Sequence, residues 1–244
     1  MRLFRAAGNR FWVIDFFRGL SVLLMIAFHF AYDLNWLGVI ALDFFDGFGW
    51  VIPRLIAGSF MFLAGLSLTI SYSRDMKKMR GEAITRKFVM RGLRIFAWGM
   101  LITVMTALLL GSGTVWFGVL HLIGISVIVA RPLVRYRYTN LFLGMGILAA
   151  GFLLHAFVFP FPWLLPLGFV PAGFFSYDYA PLLPYAGVVL LGVYFGNSVY
   201  PRGRAAGGSV PRGAGVLCWM GRNSLFIYLL HQPVLIALLY MLFA

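Results

Sequence analysis

The run FWVIDFFRGLSVLLMIAFHFAYDLNWLG, residues 11–38, is long and apolar enough to cross a bilayer as one helix. It nevertheless carries four ionisable side chains, Asp15, Arg18, His29 and Asp33. Such groups are costly inside a membrane, so those that occur there are usually functional. On a helix all four fall in a single stripe, with Arg18 and His29 roughly 16 Å apart along the axis. We expect an active site along that stripe, facing protein or water rather than lipid.

The composition places the whole chain in a membrane. Of its 244 residues, 62% are hydrophobic and 11% are charged, and the mean hydropathy is +0.92. Several segments exceed the roughly 18 apolar residues that mark a transmembrane helix. The predicted fold class is therefore all-α and polytopic. The lone Cys218 excludes an intramolecular disulfide, and no Cys/His cluster has the spacing of a zinc site, so no metal is expected.

The apolar runs predict about seven spans within a single integral membrane domain, residues 1–244. The spans are 11–38, 50–72, 93–110, 115–130, 141–158, 182–199 and 219–243. Small residues in the second span predict close helix packing there: Gly58, Ser59, Ala64, Gly65 and Ser67. The Pro- and aromatic-rich stretch 159–184 cannot be one regular helix and is expected to be extracytoplasmic or re-entrant. Residues 203–215, rich in Gly and Arg, are expected to form a flexible cytoplasmic loop.

The positive charges alternate with the spans. Three Lys and Arg residues precede the first span, eight follow the second, three follow the fourth and four follow the sixth, whereas the loops of the opposite face have none. The positive-inside rule therefore predicts a cytoplasmic N-terminus and an extracytoplasmic C-terminus. The net charge of +13 reflects this topology, and no nucleic-acid partner is expected.

This topology brings three histidines, His29, His121 and His155, toward the outer side, with Arg54 at the same level. A neutral imidazole near a carboxylate is suited to general-base catalysis, because the carboxylate orients the ring and stabilises its protonated form. We assign this role first to His29, with Asp33 one turn away. The alternative for each histidine is a buried structural ring that bridges helices, and His155 is interpreted in that way.

The last span carries the sequence His231-Gln232-Pro233. Pro233 has no N–H and so frees the Leu229 carbonyl, which leaves a polar point at mid-membrane. His231 and Gln232 either line a cavity shared with the first span or mark a structural kink. Residues 223–224 are predicted to be a helix cap.

Arg18 lies at the cytoplasmic end of the first span, where a polyanion such as the phosphates of a coenzyme could bind. The basic loop 74–94 could contribute, although the positive-inside effect alone explains its charge. The alternative role of Arg18 is a simple ion pair with Asp15.

Several motifs, taken together and in order, resemble one known family. They are RFWVIDFFRG at 10–19, LMIAFHFAYDL at 24–34, FLAGLS at 62–67, FGVLHLIG at 117–124, DYAPLLP at 178–184 with Leu191-Gly192, and NSLFIYLLHQP at 223–233. The chain resembles the bacterial branch of the heparan-alpha-glucosaminide N-acetyltransferase catalytic-domain family, also described as a domain of unknown function. The last motif is also similar to the wider membrane acyltransferase superfamily.

The resemblance implies acyl transfer across the bacterial inner membrane, from cytoplasmic acetyl-coenzyme A to an amine or hydroxyl of a sugar or glycan on the far side. Donor binding would fall to Asp15, Arg18 and Gln232. The lysosomal enzyme of the family is longer and uses a histidine beyond its first span, whereas residues 39–50 here contain none. The base is therefore not transferred by motif: we expect His29 with Asp33, and then His121 or His231.

Two other function classes fit the same residues. A small transporter or flippase could use the ionisable stripe as a proton or substrate path. A bis-histidine haem protein is a weaker alternative, since the chain has four histidines. The sequence leaves open the acyl length of the donor and the identity of the acceptor. It also leaves open the oligomeric state, for which a homo-oligomer is one option.

Overall fold

The computed structural model describes residues 11–44, 46–154, 157–200, 210–211 and 213–243. Over these residues the chain is helical, without a strand, as the composition predicts. The α-helices are α1 Trp12–Trp36, α2 Gly47–Asp75, α3 Gly81–Leu110, α4 Val119–Ala130, α5 Arg137–Leu154, α6 Leu182–Val199, α7 Gly215–Arg222 and α8 Ser224–Phe243. Two short 3₁₀-helices cover Arg131–Leu133 and Pro162–Leu167.

Within the described part of the chain, six helices are long and apolar enough to cross a membrane: α1, α2, α3, α5, α6 and α8. The chain is thus an integral membrane protein built of helices. Six of the seven predicted spans coincide with one of these helices. The fourth, 115–130, contains only the 12-residue α4, because the backbone stays non-helical as far as Gly118.

Two boundaries differ from the prediction. α3 begins at Gly81 rather than near residue 93, so the basic stretch and the third span form one 30-residue helix. The last span, predicted as continuous from 219, is broken at Asn223, where α7 ends and α8 starts. The Asn223 side-chain amide donates to the Trp219 carbonyl oxygen at 2.8 Å. Such local side-chain bonds compete with the helical ladder.

The described chain divides into two compact units. The first comprises residues 1–60 and 205–244, and the second comprises 61–204. In the first unit α1 packs along α7 and also against α8. Glycines permit the α1–α7 approach: a Cβ at Gly19 would overlap the Leu217 carbonyl oxygen, and one at Gly221 would overlap that of Asp15.

Glycines also permit close helix packing in the second unit. A Cβ at Gly92 in α3 would lie 2.6 Å from the Gly124 oxygen in α4, and a Cβ at Gly187 in α6 would lie 2.6 Å from the Gly144 oxygen in α5. Gly65, one of the small residues that predict close packing, faces the Val189 carbonyl. A buried apolar cluster fills the unit: Leu68, Ile84, Phe88, Val127, Ala130, Val134, Leu190 and Val193.

Candidate active site

Two histidines from distant parts of the chain meet in the first unit. His29 on α1 and His231 on α8 lie with their ring centroids 4.8 Å apart, edge to face. Both helices are candidate membrane spans, so the pair lies within apolar secondary structure. Sequence alone leaves open whether His231 faces the first span or only marks a kink, and the ring contact places it against α1.

The backbone determines which nitrogen of each ring carries the proton. His29 Nδ1 is 2.9 Å from the Met25 carbonyl oxygen, and His231 Nδ1 is 2.6 Å from the Tyr228 carbonyl oxygen. A carbonyl oxygen only accepts, so each Nδ1 must donate a proton. In the neutral rings the lone pair therefore lies on Nε2, the tautomer that a general base requires.

The Nε2 atom of His231 is buried and has no hydrogen-bond partner among the described residues. A buried polar atom in that state is uncommon in a native structure and calls for an explanation, such as a catalytic role or an ordered water. Here the atom is a lone-pair acceptor on α8, a candidate membrane span, which makes His231 a candidate base.

Asp33 is positioned differently from the prediction. Its carboxylate is only 7% exposed and accepts from the Gln232 side-chain nitrogen at 2.9 and 3.1 Å. The ring of His29 is bonded to its own helix backbone through Nδ1. Gln232, predicted as a donor-binding residue, joins α8 to α1 beside His231. Its Oε1 is a second buried acceptor without a partner in the described structure.

The N-terminal end of α1 carries the predicted ion pair. Arg18 Nη1 is 3.5 Å from Asp15 Oδ1, and both side chains are partly buried. The same nitrogen lies 3.5 Å from the Gly221 carbonyl oxygen, at the end of α7. Arg222, one residue further, donates from Nε to the Cys218 carbonyl oxygen at 3.0 Å. Two guanidinium groups thus flank the break between α7 and α8, a grouping that the sequence analysis missed because it treated 219–243 as one helix.

His121 belongs to the second unit and has both ring nitrogens occupied. Nδ1 accepts from the Gly118 backbone N–H at 3.1 Å, and Nε2 lies 3.3 Å from the Thr103 hydroxyl. That hydroxyl is 2.6 Å from the Val115 carbonyl oxygen, to which it donates. The ring is 1% exposed. With both ring nitrogens bonded His121 caps the start of α4, and its assignment as a base stays a prediction.

Asp178 contributes to the same cap, and sequence analysis did not assign it a role. Its Oδ2 accepts from the Val119 backbone N–H at 3.2 Å. A carboxylate at a helix start satisfies an otherwise unpaired donor and complements the helix dipole. An Asp preceding α6 gives no sequence signal that it caps α4, because the two segments are 59 residues apart.

Arg54 and His155 are the remaining polar residues predicted at the level of His29. Arg54 stacks over the Trp50 ring, 3.7 Å from its centroid, and donates to the Trp50 carbonyl oxygen at 2.7 Å. His155 lies outside the described residues. In the described chain no three His, Cys, Asp or Glu side chains are grouped as metal ligands.

Comparison with known protein families gives one match. Residues 10–233 match the family described as heparan-alpha-glucosaminide N-acetyltransferase, catalytic. Neither the curated proteins nor the solved structures contain a significant match to the chain. The family match covers nearly the whole sequence and includes α1 and the His231 segment, where the paired histidines lie. The chain therefore belongs to the heparan-alpha-glucosaminide N-acetyltransferase catalytic-domain family, a family of membrane acetyltransferases.

Proposed function

We propose that the protein transfers the acetyl group of cytoplasmic acetyl-coenzyme A to an amine or hydroxyl of a sugar on the other side of the bacterial inner membrane. The observation that carries the proposal is the His29–His231 pair. Its two rings are in contact, and both present Nε2 as the proton acceptor. Family membership supports the reaction class, and the pair supplies a base for it.

Contacts within the second unit support seven crossings with a cytoplasmic N-terminus. Tyr177 N–H donates to the Gly113 carbonyl oxygen at 3.1 Å, so the segment before α6 meets the segment after α3. At the other end, Arg131 Nη2 donates to the Gly81 carbonyl oxygen at 3.1 Å, where α3 begins. Residues 113–131, which contain α4, therefore run back from the end of α3 to its start. The four groups of Lys and Arg residues before and between the spans then fall on one face, as the positive-inside rule requires.

Under this topology Arg18 and Arg222 lie at the cytoplasmic mouth of the first unit. Coenzyme A carries phosphates at one end and the acetyl thioester at the end of its long pantetheine arm. Guanidinium groups suit phosphate binding. Arg18 and His29 are roughly 16 Å apart along α1. This distance separates a phosphate-binding end from a reacting end, as the length of coenzyme A separates its phosphates from its thioester.

The proposed step is a direct acyl transfer. The acceptor nitrogen or oxygen attacks the thioester carbonyl carbon and forms the new amide or ester bond. The carbon–sulfur bond breaks, and coenzyme A leaves as the thiolate. An Nε2 of the His29–His231 pair takes the proton that the acceptor loses, and the resulting imidazolium returns it to the thiolate. The Asp33 carboxylate, one turn from His29, stabilises the charged ring.

A haem bound between His29 and His231 would require these rings to separate, because here they touch edge to face with their centroids 4.8 Å apart. An absorption spectrum of the purified protein without a Soret band would remove the haem alternative. The transporter alternative uses the same residues and is distinguished by experiment.

The test uses the full chain in liposomes with acetyl-coenzyme A enclosed and glucosamine outside. We expect donor-dependent acetylation that falls by roughly 10² to 10⁴-fold in His29→Asn and in His231→Asn, the range that general-base catalysis supplies. Calorimetry should show acetyl-coenzyme A binding that weakens in Arg18→Ala and not in Arg137→Ala, an exposed arginine at the start of α5 and outside the basic loop 74–94. Movement of labelled sugar without donor, with no acetyl product, would favour the transporter.

A further inference from the structure

The segment between α5 and α6 exposes apolar side chains where a water-facing loop would carry charges. Phe157, Val158 and Trp163 are 63%, 69% and 74% exposed. From Thr139 to Tyr177 the sequence contains no Asp, Glu, Lys or Arg. Large exposed apolar side chains grouped in one uncharged segment normally mark a binding face or a membrane contact.

Two polar side chains at the end of the segment are bonded within the protein. Asp178, its first charged residue, accepts from the Val119 N–H at the start of α4. The Tyr179 hydroxyl donates to the Leu165 carbonyl oxygen at 2.7 Å. An arrangement with apolar side chains outside and polar side chains inside is the reverse of a water-facing surface. It is the usual arrangement of a lipid-facing surface.

The prolines fit the same environment. Irregular backbone near a bilayer is tolerated only when its N–H and C=O groups are satisfied internally. Proline has no N–H, so each one removes a donor that lipid could not satisfy. Four lie between residues 157 and 180: Pro160, Pro162, Pro166 and Pro171. Phe159 N–H and Phe169 N–H donate within the segment, to Val170 and Leu164 at 3.0 and 3.3 Å.

The exposed surface continues that of a candidate membrane span. Phe152 and Leu153, at the end of α5, are 83% and 67% exposed. Phe161 stacks on Trp163 with centroids 5.4 Å apart and the rings nearly parallel. Tryptophan is enriched at membrane–water boundaries because its ring is apolar and its N–H can reach polar headgroups.

We infer that the face formed by Phe157, Val158 and Trp163 is embedded in the bilayer interface, at the boundary between headgroups and acyl chains. Exposed aromatic rings can also stack on sugars, but a sugar site needs polar side chains beside the rings. Residues 157–168, FVFPFPWLLPLG, contain only the indole N–H of Trp163 as a polar side-chain group. The bilayer is therefore the occupant that the segment fits. This inference is independent of the acetyl-transfer proposal.

The test is spin-label accessibility of the full chain in liposomes. Labels are placed at Trp163→Cys and, independently, at Val158→Cys, in a Cys218→Ala background that removes the one native thiol. Phe152→Cys on α5 is the lipid-facing control, and Lys78→Cys in the basic turn is the water-facing control; both sites are exposed.

We expect labels at 158 and 163 to be more accessible to oxygen than to the water-soluble nickel ethylenediaminediacetate. This order matches that at 152 and reverses the order at 78. Nickel-dominated accessibility at both positions, as at 78, would overturn the inference. Nickel-dominated accessibility together with immobilisation of the label by added glucosamine oligomers would overturn it in favour of a sugar-stacking face.

Discussion

The histidines of the two units differ in what their ring nitrogens do. In the second unit, His121 has Nδ1 and Nε2 both bonded, and its ring lies between Phe96 and Phe117. In the first unit, His231 has only Nδ1 bonded, and its Nε2 is buried without a partner in the described chain. Both histidines lie in apolar helices, yet only His231 has an Nε2 that no described group is bonded to. The difference separates a structural ring from a candidate base.

The largest expected effect tests whether His29 and His231 act as one unit. In the reconstituted assay each Asn variant should lose roughly 10² to 10⁴-fold in acetylation rate. The double variant should lose no more than the worse single variant, because residues that serve one proton transfer are strongly non-additive. Multiplicative losses in the double variant would show two independent roles. Near-normal rates in both singles would remove the pair from catalysis.

The contrasting change is His121→Ala. It removes a buried ring, the acceptor for the Gly118 N–H and the bond to Thr103, so we expect the free energy of unfolding to fall by about 3 kcal/mol. The measurement is detergent unfolding followed by circular dichroism. Acetylation per folded molecule should stay within a few-fold of the original protein. A His121→Ala protein that is fully stable but inactive would reverse the comparison.

The space around His121 gives a finer test. A Cβ at Gly99 in α3 would lie 2.9 Å from His121 Nδ1, so Gly99→Ala must displace the ring. We expect a loss of about 2 kcal/mol, typical of overpacking. Gly146→Ala in α5 is the matched control, because its Cβ meets nothing within 4 Å. That control should be neutral or slightly stabilising, since alanine favours the helix. Equal effects of both changes would show that Gly99 does not hold the ring.

The sequence predicts the polar stripe of the first unit, whereas in the second unit it predicts the helices but not the cap of α4. Asp15, Arg18, His29 and Asp33 share one helix, and their spacing alone puts them on one stripe. The likeness of the 223–233 motif to membrane acyltransferases singles out His231. The sequence does not show which polar atoms are bonded to one another. The backbone carbonyls of Met25 and Tyr228 orient the two rings, and the Gln232 amide donates to Asp33.

The second unit shows why the rest could not be predicted. In the sequence His121 looks like the candidate bases, because it is also a histidine among hydrophobic residues. Its capping role depends on where α4 begins. That start is set by a turn at 111–118 whose backbone departs from the helix predicted from residue 115. Asp178 caps α4 from a distant segment, and helical periodicity carries no information about such pairs. The apolar runs predict which segments are helical, and tertiary contacts decide which polar atoms remain available.

The smallest expected effect concerns Asp178, which shares the α4 cap with His121. Asp178→Ala removes the acceptor for the Val119 N–H and a negative charge at the helix start, so we expect a loss of about 1 kcal/mol in the free energy of unfolding. Asp178→Asn keeps an acceptor oxygen and should lose less. Because both residues satisfy donors of one helix start, the Asp178→Ala and His121→Ala losses should couple rather than add. Strict additivity in this double-mutant cycle would mean that the two side chains stabilise α4 separately. His121 would then act by the packing of its ring and not as part of one cap with Asp178.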